Sequence, residues 1–136
     1  MKILGFNFTK VIAEKNVDFS GKLDLKSNIN ISSVDKHKLD LVKDEALKVS
    51  FSFIVDYSGL GKVDLSGTMF LLVDPKTLKE AVKSWEDKKL PDEIRMAIIN
   101  IIMQKSSLKA LQMEEDLGLP LHMPMPRLQE GSAQKK

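Results

Sequence analysis

Few residues in this sequence could do chemistry, and they are scattered along the chain. There is no cysteine, which excludes disulfides, thiolate nucleophiles and thiolate metal ligands. The two histidines, His37 and His122, lie in segments predicted to be loops, and neither has other ligands at metal spacing. We therefore expect a surface or packing role for each histidine and no metal site.

Two further motifs are candidate sites. "SGLGK" at residues 58–62 lacks the spacing of a phosphate-binding loop and joins two strands, so a hairpin turn is the better interpretation. "EED" at residues 114–116 could bind a cation or a basic partner, but a solvated helix end is favoured. No serine lies in a nucleophile-elbow setting. The sequence therefore predicts no catalytic residue, no cofactor and no enzymatic activity.

Composition points to one globular domain. With 136 residues, the chain is long enough for one core and too short for two. We predict a single domain over residues 1–128 and a disordered polar tail over 129–136. The net charge of +2 is too small to indicate nucleic-acid binding. The apolar N-terminus is interrupted early and "IRMAIINIIM" is about half a membrane span, so we expect a cytoplasmic protein without a membrane span.

Apolar and polar residues alternate strictly through much of the first half, as in antiparallel strands buried on one side. A strand over "ILGFNFTKV" is predicted from Leu4, Phe6 and Phe8. Three further strands are predicted from apolar residues on odd positions: Leu23, Leu25, Ile29 and Ile31; Leu47, Val49, Phe51, Phe53, Val55 and Tyr57; Val63, Leu65, Met69, Leu71 and Val73.

The predicted connections differ in length. Residues 58–62 form a hairpin, whereas residues 13–21 form a longer connection that could be a crossover. Residues 34–45 either extend a strand or form a loop.

Two helices follow the strands. Asp74 is a plausible N-cap with Pro75 at the first helical position, and Leu78, Ala81, Val82 and Trp85 recur at helical spacing. Pro91 opens a longer helix that ends near Gly118.

The long helix is apolar over more than one face. Its main stripe is predicted to be Ile94, Ile98, Ile101, Lys105 and Leu108, while Ile99, Ile102 and Met103 widen the apolar surface. Such a helix usually touches two surfaces, so these three residues are a candidate oligomer interface.

The segment "LGLPLHMPMPRL" is apolar and held extended by its prolines. We interpret it as a strap that packs beside the long helix and, secondarily, as a lip for a bound client. Methionine adapts to irregular apolar partners, which would suit either role.

The order of these elements resembles the SecB-type export chaperones over residues 3–128. The resemblance rests on "FNFTKV", the pair "KVSFSFIVDY" and "GKVDLSGTMFLLV", and the ending "LPLHMPMPRL", in which Pro120, Leu121, Met123 and Pro124 match loosely. It implies a SecB-like α+β fold in which a short and a long C-terminal helix pack on a four-stranded antiparallel sheet. It also implies dimers that pair into tetramers, and binding of unfolded polypeptide in apolar grooves without ATP.

We therefore expect a chaperone-like protein that binds unfolded or nascent polypeptide. The candidate peptide-binding residues are Phe51, Phe53, Leu119, Met123 and Met125. One alternative is a ribosome- or RNA-associated protein that uses lysines, with a basic stripe at Lys76, Lys79 and Lys83; the others are Lys88, Lys89, Lys135 and Lys136. Another is an oligomeric adaptor or antitoxin-like regulator for a single partner.

Overall fold

The computed structural model describes residues 1–38 and 45–124. In chain order it contains the strands β1 (Lys2–Lys15), β2 (Lys26–Lys38), β3 (Glu45–Asp56) and β4 (Gly61–Leu72), then the helices α1 (Pro75–Trp85) and α2 (Asp92–Leu117). The strands form one antiparallel sheet in the order β1-β4-β3-β2. The predicted α+β class, with a four-stranded antiparallel sheet, a short helix and a long C-terminal helix, is confirmed.

The sheet is covered by helices on one face, as the alternating pattern predicted. Every odd residue of β3 and β4 from Leu47 to Val55 and from Val63 to Leu71 is buried. One core cluster joins this face to α1 and the first half of α2, including Ile94, Ile98 and Ile102. A second cluster joins the other end of the sheet to Ala110 of α2 and to Leu119 beyond it.

Strand lengths follow the available partners rather than the apolar pattern. Leu23 and Leu25 were predicted to lie in a strand, but β2 begins at Lys26, which pairs with Asp56 at the end of β3. The partner strand ends there because the chain turns through Ser58–Leu60 into β4. Conversely, β1 continues to Lys15, beyond the predicted start of the connection at Ala13, because Gly61 of β4 pairs with it.

The first connection is a crossover, one of the two possibilities left by the sequence. It carries the chain from β1 at one edge of the sheet to β2 at the other. β2 extends to Lys38 and β3 begins at Glu45, so the predicted ambiguous segment is strand at its start, and Leu39 and Leu41 lie outside the described residues.

Both helices begin at the expected residues, and α2 ends where Gly118 predicted. The Asp74 carboxylate accepts hydrogen bonds from the Thr77 backbone N–H and hydroxyl, and Pro75 is the first residue of α1. Pro91 precedes α2, which ends at Gly118 in the left-handed conformation with a φ of 67°.

The predicted stripe of α2 is correct only in its first half. Ile94 and Ile98 are buried, but Leu108 is 66% exposed and Lys105 is also exposed. In the second half the buried residues are mostly small or polar: Ser106, Ser107, Ala110 and Glu114, together with Leu111. Small side chains let this part of the helix lie close to β3 and β4. Because its buried face is not apolar, hydrophobic periodicity in the sequence did not mark it.

Candidate functional site

The candidate site is built on the second half of α2. Ser107 and Glu114 are seven residues apart, about two helical turns, so both face the sheet. Glu114 is fully buried and Ser107 is 6% exposed. A rigid helix therefore fixes the separation between a hydroxyl and a carboxylate at one end of the core.

The third side chain returns to the helix through a chain reversal. After Gly118, the Leu119 backbone N–H donates to the Glu114 carbonyl at 2.9 Å, which closes the helix end. Leu119 enters the second core cluster, and the chain then runs back beside α2. His122 reaches Glu114 and Ser107 in this way.

The three side chains form a continuous hydrogen-bonded chain, the Ser107–His122–Glu114 cluster. His122 Nδ1 lies 2.9 Å from Glu114 Oε1 and 3.0 Å from Oε2, and His122 Nε2 lies 3.2 Å from Ser107 Oγ. Because Nδ1 faces two carboxylate oxygens, it carries a proton in the neutral ring, and Nε2 is then free to accept. The arrangement is acid, imidazole and hydroxyl in sequence.

Two further donors hold the Glu114 carboxylate. The Tyr57 hydroxyl donates to Oε2, and the His122 backbone N–H donates to Oε1 at 3.3 Å. Burial, the hydrogen bond to Glu114 and the negative charge of Glu114 together raise the pKa of the Tyr57 phenol well above its ordinary value. Tyr57 therefore stays a neutral donor to the carboxylate throughout the physiological pH range.

An open groove of about 340 Å³, the β2 groove, lies against this cluster. Its apolar wall consists of Ile29, Phe53, Met103 and Met123, and Ser27 and Asn28 of β2 form its rim; Ser107 and His122 complete the lining. The His122 ring packs edge-on against Phe53 with centroids 5.7 Å apart. The result is an apolar groove with a polar pair at one point.

Two larger depressions lie near Met1 and the start of α1, and a third, of about 400 Å³, lies between the end of β1 and the turn at Ser58 and Gly59. The polar residues of the first two include Asp74 and Thr77, which bond to each other as a helix cap. The β2 groove is therefore the stronger candidate, since its polar groups form a connected cluster.

The predicted peptide-binding residues divide into two groups. Phe53 and Met123 line the β2 groove, where Met123 is 41% exposed and Phe53, a member of the second core cluster, is 3% exposed. Phe51 and Leu119 also belong to the two core clusters, and neither lines the groove. Met125 lies outside the described residues.

Phe51 is held in the core by its aromatic neighbours. Its ring lies 5.0 Å from that of Phe6 and 6.3 Å from that of Phe8, centroid to centroid. Gly67 makes room for it, because a Cβ at that position would lie 2.9 Å from the Phe51 ring. The residue therefore contributes to packing of the sheet against α2.

The three predicted interface residues also differ in accessibility. Ile102 is fully covered within the chain, in the first core cluster, whereas Met103 is 44% exposed and Ile99 is partly exposed. Ile102 has no surface to offer a second subunit, so the interface prediction depends on Ile99 and Met103.

The sequence did not reveal the Ser107–His122–Glu114 cluster. The prediction of a solvated "EED" end is wrong for Glu114, although Glu115 and Asp116 are exposed as expected. His122 does pack, but its ring bonds to Glu114 and Ser107 as well. The available indications were that Glu114 lies one turn after Ala110 on the buried face, and that Gly118 reverses the chain just before His122.

Within residues 1–38 and 45–124, no group of histidine and acidic side chains is arranged to hold a metal ion. No helix in the same part of the chain is sufficiently long and apolar to span a membrane. Comparison with known proteins finds no matching family model, curated protein or solved structure. The SecB-type resemblance therefore stays a prediction from the sequence.

Proposed function

We propose that this protein is a chaperone-like polypeptide-binding protein that holds unfolded or nascent chains as extended apolar segments in the β2 groove. One observation carries the proposal: an apolar groove adjoins a sheet edge that has no partner strand within the described residues. The SecB-type resemblance supports it, since members of that family bind unfolded polypeptide in apolar grooves. A cytoplasmic location and assembly as a dimer or tetramer through Ile99 and Met103 belong to the same proposal.

The backbone of β2 can pair with an added strand. Alternate N–H and C=O groups of an edge strand point away from its neighbour and can bond to an extended peptide. The pairing of residues 26–31 with β3 is regular, and residues 27–34 carry no charge. β2 has one register shift, between Ile31 and Ser33, whereas β1 at the opposite edge has two, a feature that blunts an edge.

The groove can receive alternate side chains of such a peptide. Ile29 and Phe53 form its base on the sheet side, and Met103 and Met123 flank it from α2 and the strap. Full burial of one leucine-sized side chain is worth about 1.5–3 kcal/mol, so a few contacts give measurable affinity. Methionine side chains adapt to different shapes, which suits binding of many sequences.

The first prediction concerns charge in the groove. Met103→Asp and Met123→Asp should each weaken binding of an unstructured apolar peptide about tenfold or more, because each places a carboxylate in an apolar contact worth about 1.4 kcal/mol. Met96→Asp is the matched control, since Met96 is an exposed methionine of α2 outside the groove. Fluorescence anisotropy with a labelled peptide measures the affinities.

Two controls distinguish peptide binding in the groove from RNA binding and from a change in assembly. Affinity should change little with salt, whereas phosphate-dominated RNA binding weakens steeply as salt is raised. Light scattering on each variant shows whether assembly has changed, since Met103 is also a predicted interface residue. Equal affinities for the three variants, with assembly intact, would contradict binding in the β2 groove.

A further inference from the structure

The Ser107–His122–Glu114 cluster has the parts and the order of a nucleophilic catalytic triad. Such triads are recognised by geometry: a hydroxyl bonded to an imidazole nitrogen, and the other nitrogen bonded to a carboxylate. Here the two links measure 3.2 Å and 2.9 Å. We propose that Ser107 is an activated nucleophile that accepts acyl groups from small uncharged carboxylic esters, with His122 as the general base.

The acid in this cluster is unusually well fixed. Glu114 has no exposed surface, and its two oxygens accept from Tyr57, from the His122 ring and from the His122 backbone. These bonds leave the imidazole in one orientation with Nε2 toward Ser107. A carboxylate bonded to the imidazole also stabilises the imidazolium that forms when the histidine of such a triad takes a proton.

Two members of the cluster are next to the groove, and the third is not. Ser107 and His122 line the β2 groove, whereas Glu114 does not. The nucleophile and the base therefore border the space where a substrate would bind, with 6% of Ser107 and 5% of the His122 side chain exposed, and the acid lies in the core. A cluster that served only to pack the strap would not require its hydroxyl end to border a groove.

The groove selects the class of substrate. Its apolar wall of Ile29, Phe53, Met103 and Met123 suits a short aliphatic acyl chain, and no aspartate, glutamate, lysine or arginine of the described ranges lines it. Its volume of about 340 Å³ is at the lower end for small-molecule sites. Uncharged esters with small acyl groups fit both properties.

The proposed reaction is balanced by water alone. Ser107 Oγ attacks the ester carbonyl carbon while its proton passes to His122 Nε2, and the tetrahedral intermediate then expels the alcohol, which takes that proton. The products are the Ser107 ester and the free alcohol. Water activated by His122 subsequently attacks the Ser107 ester, which releases the carboxylic acid and restores the hydroxyl.

The position of Ser107 within α2 limits the rate. Backbone N–H groups inside a helix are committed to helix hydrogen bonds, so those beside Ser107 do not form an oxyanion hole. Among the described lining residues, Ser27 and Asn28 of β2 are the remaining candidates to donate to the developing oxyanion. Since a single such donor is worth roughly 10²–10³ in rate, we expect acylation to be easier to detect than turnover.

The test is acylation by p-nitrophenyl butyrate. Release of nitrophenol is followed by absorbance, and peptide mapping by mass spectrometry locates the butyryl group. We expect the butyryl group at Ser107 of the wild-type protein. Nitrophenol release by the wild-type protein should be about tenfold or more faster than by Ser107→Ala, because a positioned base contributes roughly 10²–10⁴ in rate. His122→Gln should lose acylation at Ser107 to the same extent while the serine remains.

Ser106→Ala is the matched control. Ser106 is fully buried on the same helix, and its hydroxyl has no hydrogen-bond partner among the described residues, so its removal should leave the acylation rate unchanged. Mapping on the wild-type protein needs no variant and is therefore independent of any folding defect. Absence of butyryl from Ser107, or equal labelling in wild-type and folded His122→Gln protein, would overturn the proposal.

The proposed nucleophile does not depend on polypeptide binding. Peptide affinity, measured by anisotropy, and acylation, located by peptide mapping, are separate readouts on the same wild-type protein. Failure of acylation with intact peptide binding would refute the nucleophile alone. Loss of peptide binding in Met103→Asp and Met123→Asp is a separate result that concerns the groove.

Discussion

At the scale of residues, Glu114 holds three parts of the chain together. Its carboxylate accepts from Tyr57 immediately after β3 and from the ring and backbone of His122 in the strap. Taking a carboxylate out of water costs several kcal/mol, and these donors offset that cost. Loss of one donor should therefore cost more than an ordinary surface hydrogen bond, because it leaves a buried acceptor incompletely paired.

The hydrogen bond from Tyr57 to Glu114 should make the stability of the protein depend on pH. Burial and Glu114 raise the pKa of its phenol above the ordinary value of about 10, so the folded state keeps the proton more tightly than the unfolded state. The resulting stability is complete below pH 10 and is lost as pH rises further. Because Tyr57 is the sole tyrosine, its tyrosinate absorbance should appear together with unfolding in an alkaline titration.

Tyr57→Phe is the control for that titration. It removes a donor to a charged group and should lower the free energy of unfolding by about 1.5–3 kcal/mol at neutral pH. It should also reduce the loss of stability above pH 10. Tyrosinate formation near pH 10 in a protein that is still folded, shown by circular dichroism, would contradict the buried bond to Glu114.

At the scale of elements, the end of α2 determines where the strap lies. Gly118 has a φ of 67°, a backbone angle that residues with a Cβ adopt only with strain. The Lys15 ammonium donates to the Gly118 carbonyl at 3.3 Å. Gly118→Ala should therefore lower the free energy of unfolding by about 1–2 kcal/mol. Urea denaturation at neutral pH measures the change.

Gly118→Asn provides the comparison, since asparagine tolerates the left-handed conformation better than alanine. The asparagine variant should lose less stability than the alanine variant. An alanine variant as stable as the wild-type protein, or more stable than the asparagine variant, would show that the left-handed cap does not constrain this end of the helix.

Helix ends were predictable, whereas the buried face of α2 was only partly so. Asp74, Pro75 and Gly118 act through local backbone geometry, which a sequence displays directly. The burial of Ser106, Ser107 and Glu114 depends on partners that lie elsewhere in the chain. A charged residue near a helix end is normally solvated, so Glu114 gave no local indication that Tyr57 and His122 would enclose it.

At the scale of the whole molecule, the alternating pattern predicted which faces are buried but not how the strands pair. Pairing of β1 with β4 rather than β2 places β2 at an edge, and this creates one wall of the β2 groove. Such long-range order follows from tertiary packing, which local periodicity does not contain. The candidate residues Phe53 and Met123 were found from their apolar character, while Ser107 and His122 required the fold.

The two sheet edges give the proposed function its most direct test. If an extended segment pairs with β2, the outward N–H groups of residues 26–31 gain hydrogen bonds that water provides in the free protein. β1 serves as an internal control, because it is also an edge strand but has two register shifts and lies at the far side of the sheet.

The deciding measurement is backbone amide hydrogen exchange with and without a saturating unstructured apolar peptide. We predict slower exchange in the first half of β2 and around Met103 and Met123, with exchange in β1 unchanged. Unchanged exchange in β2 at peptide saturation, or protection confined to β1, would contradict polypeptide binding in the β2 groove.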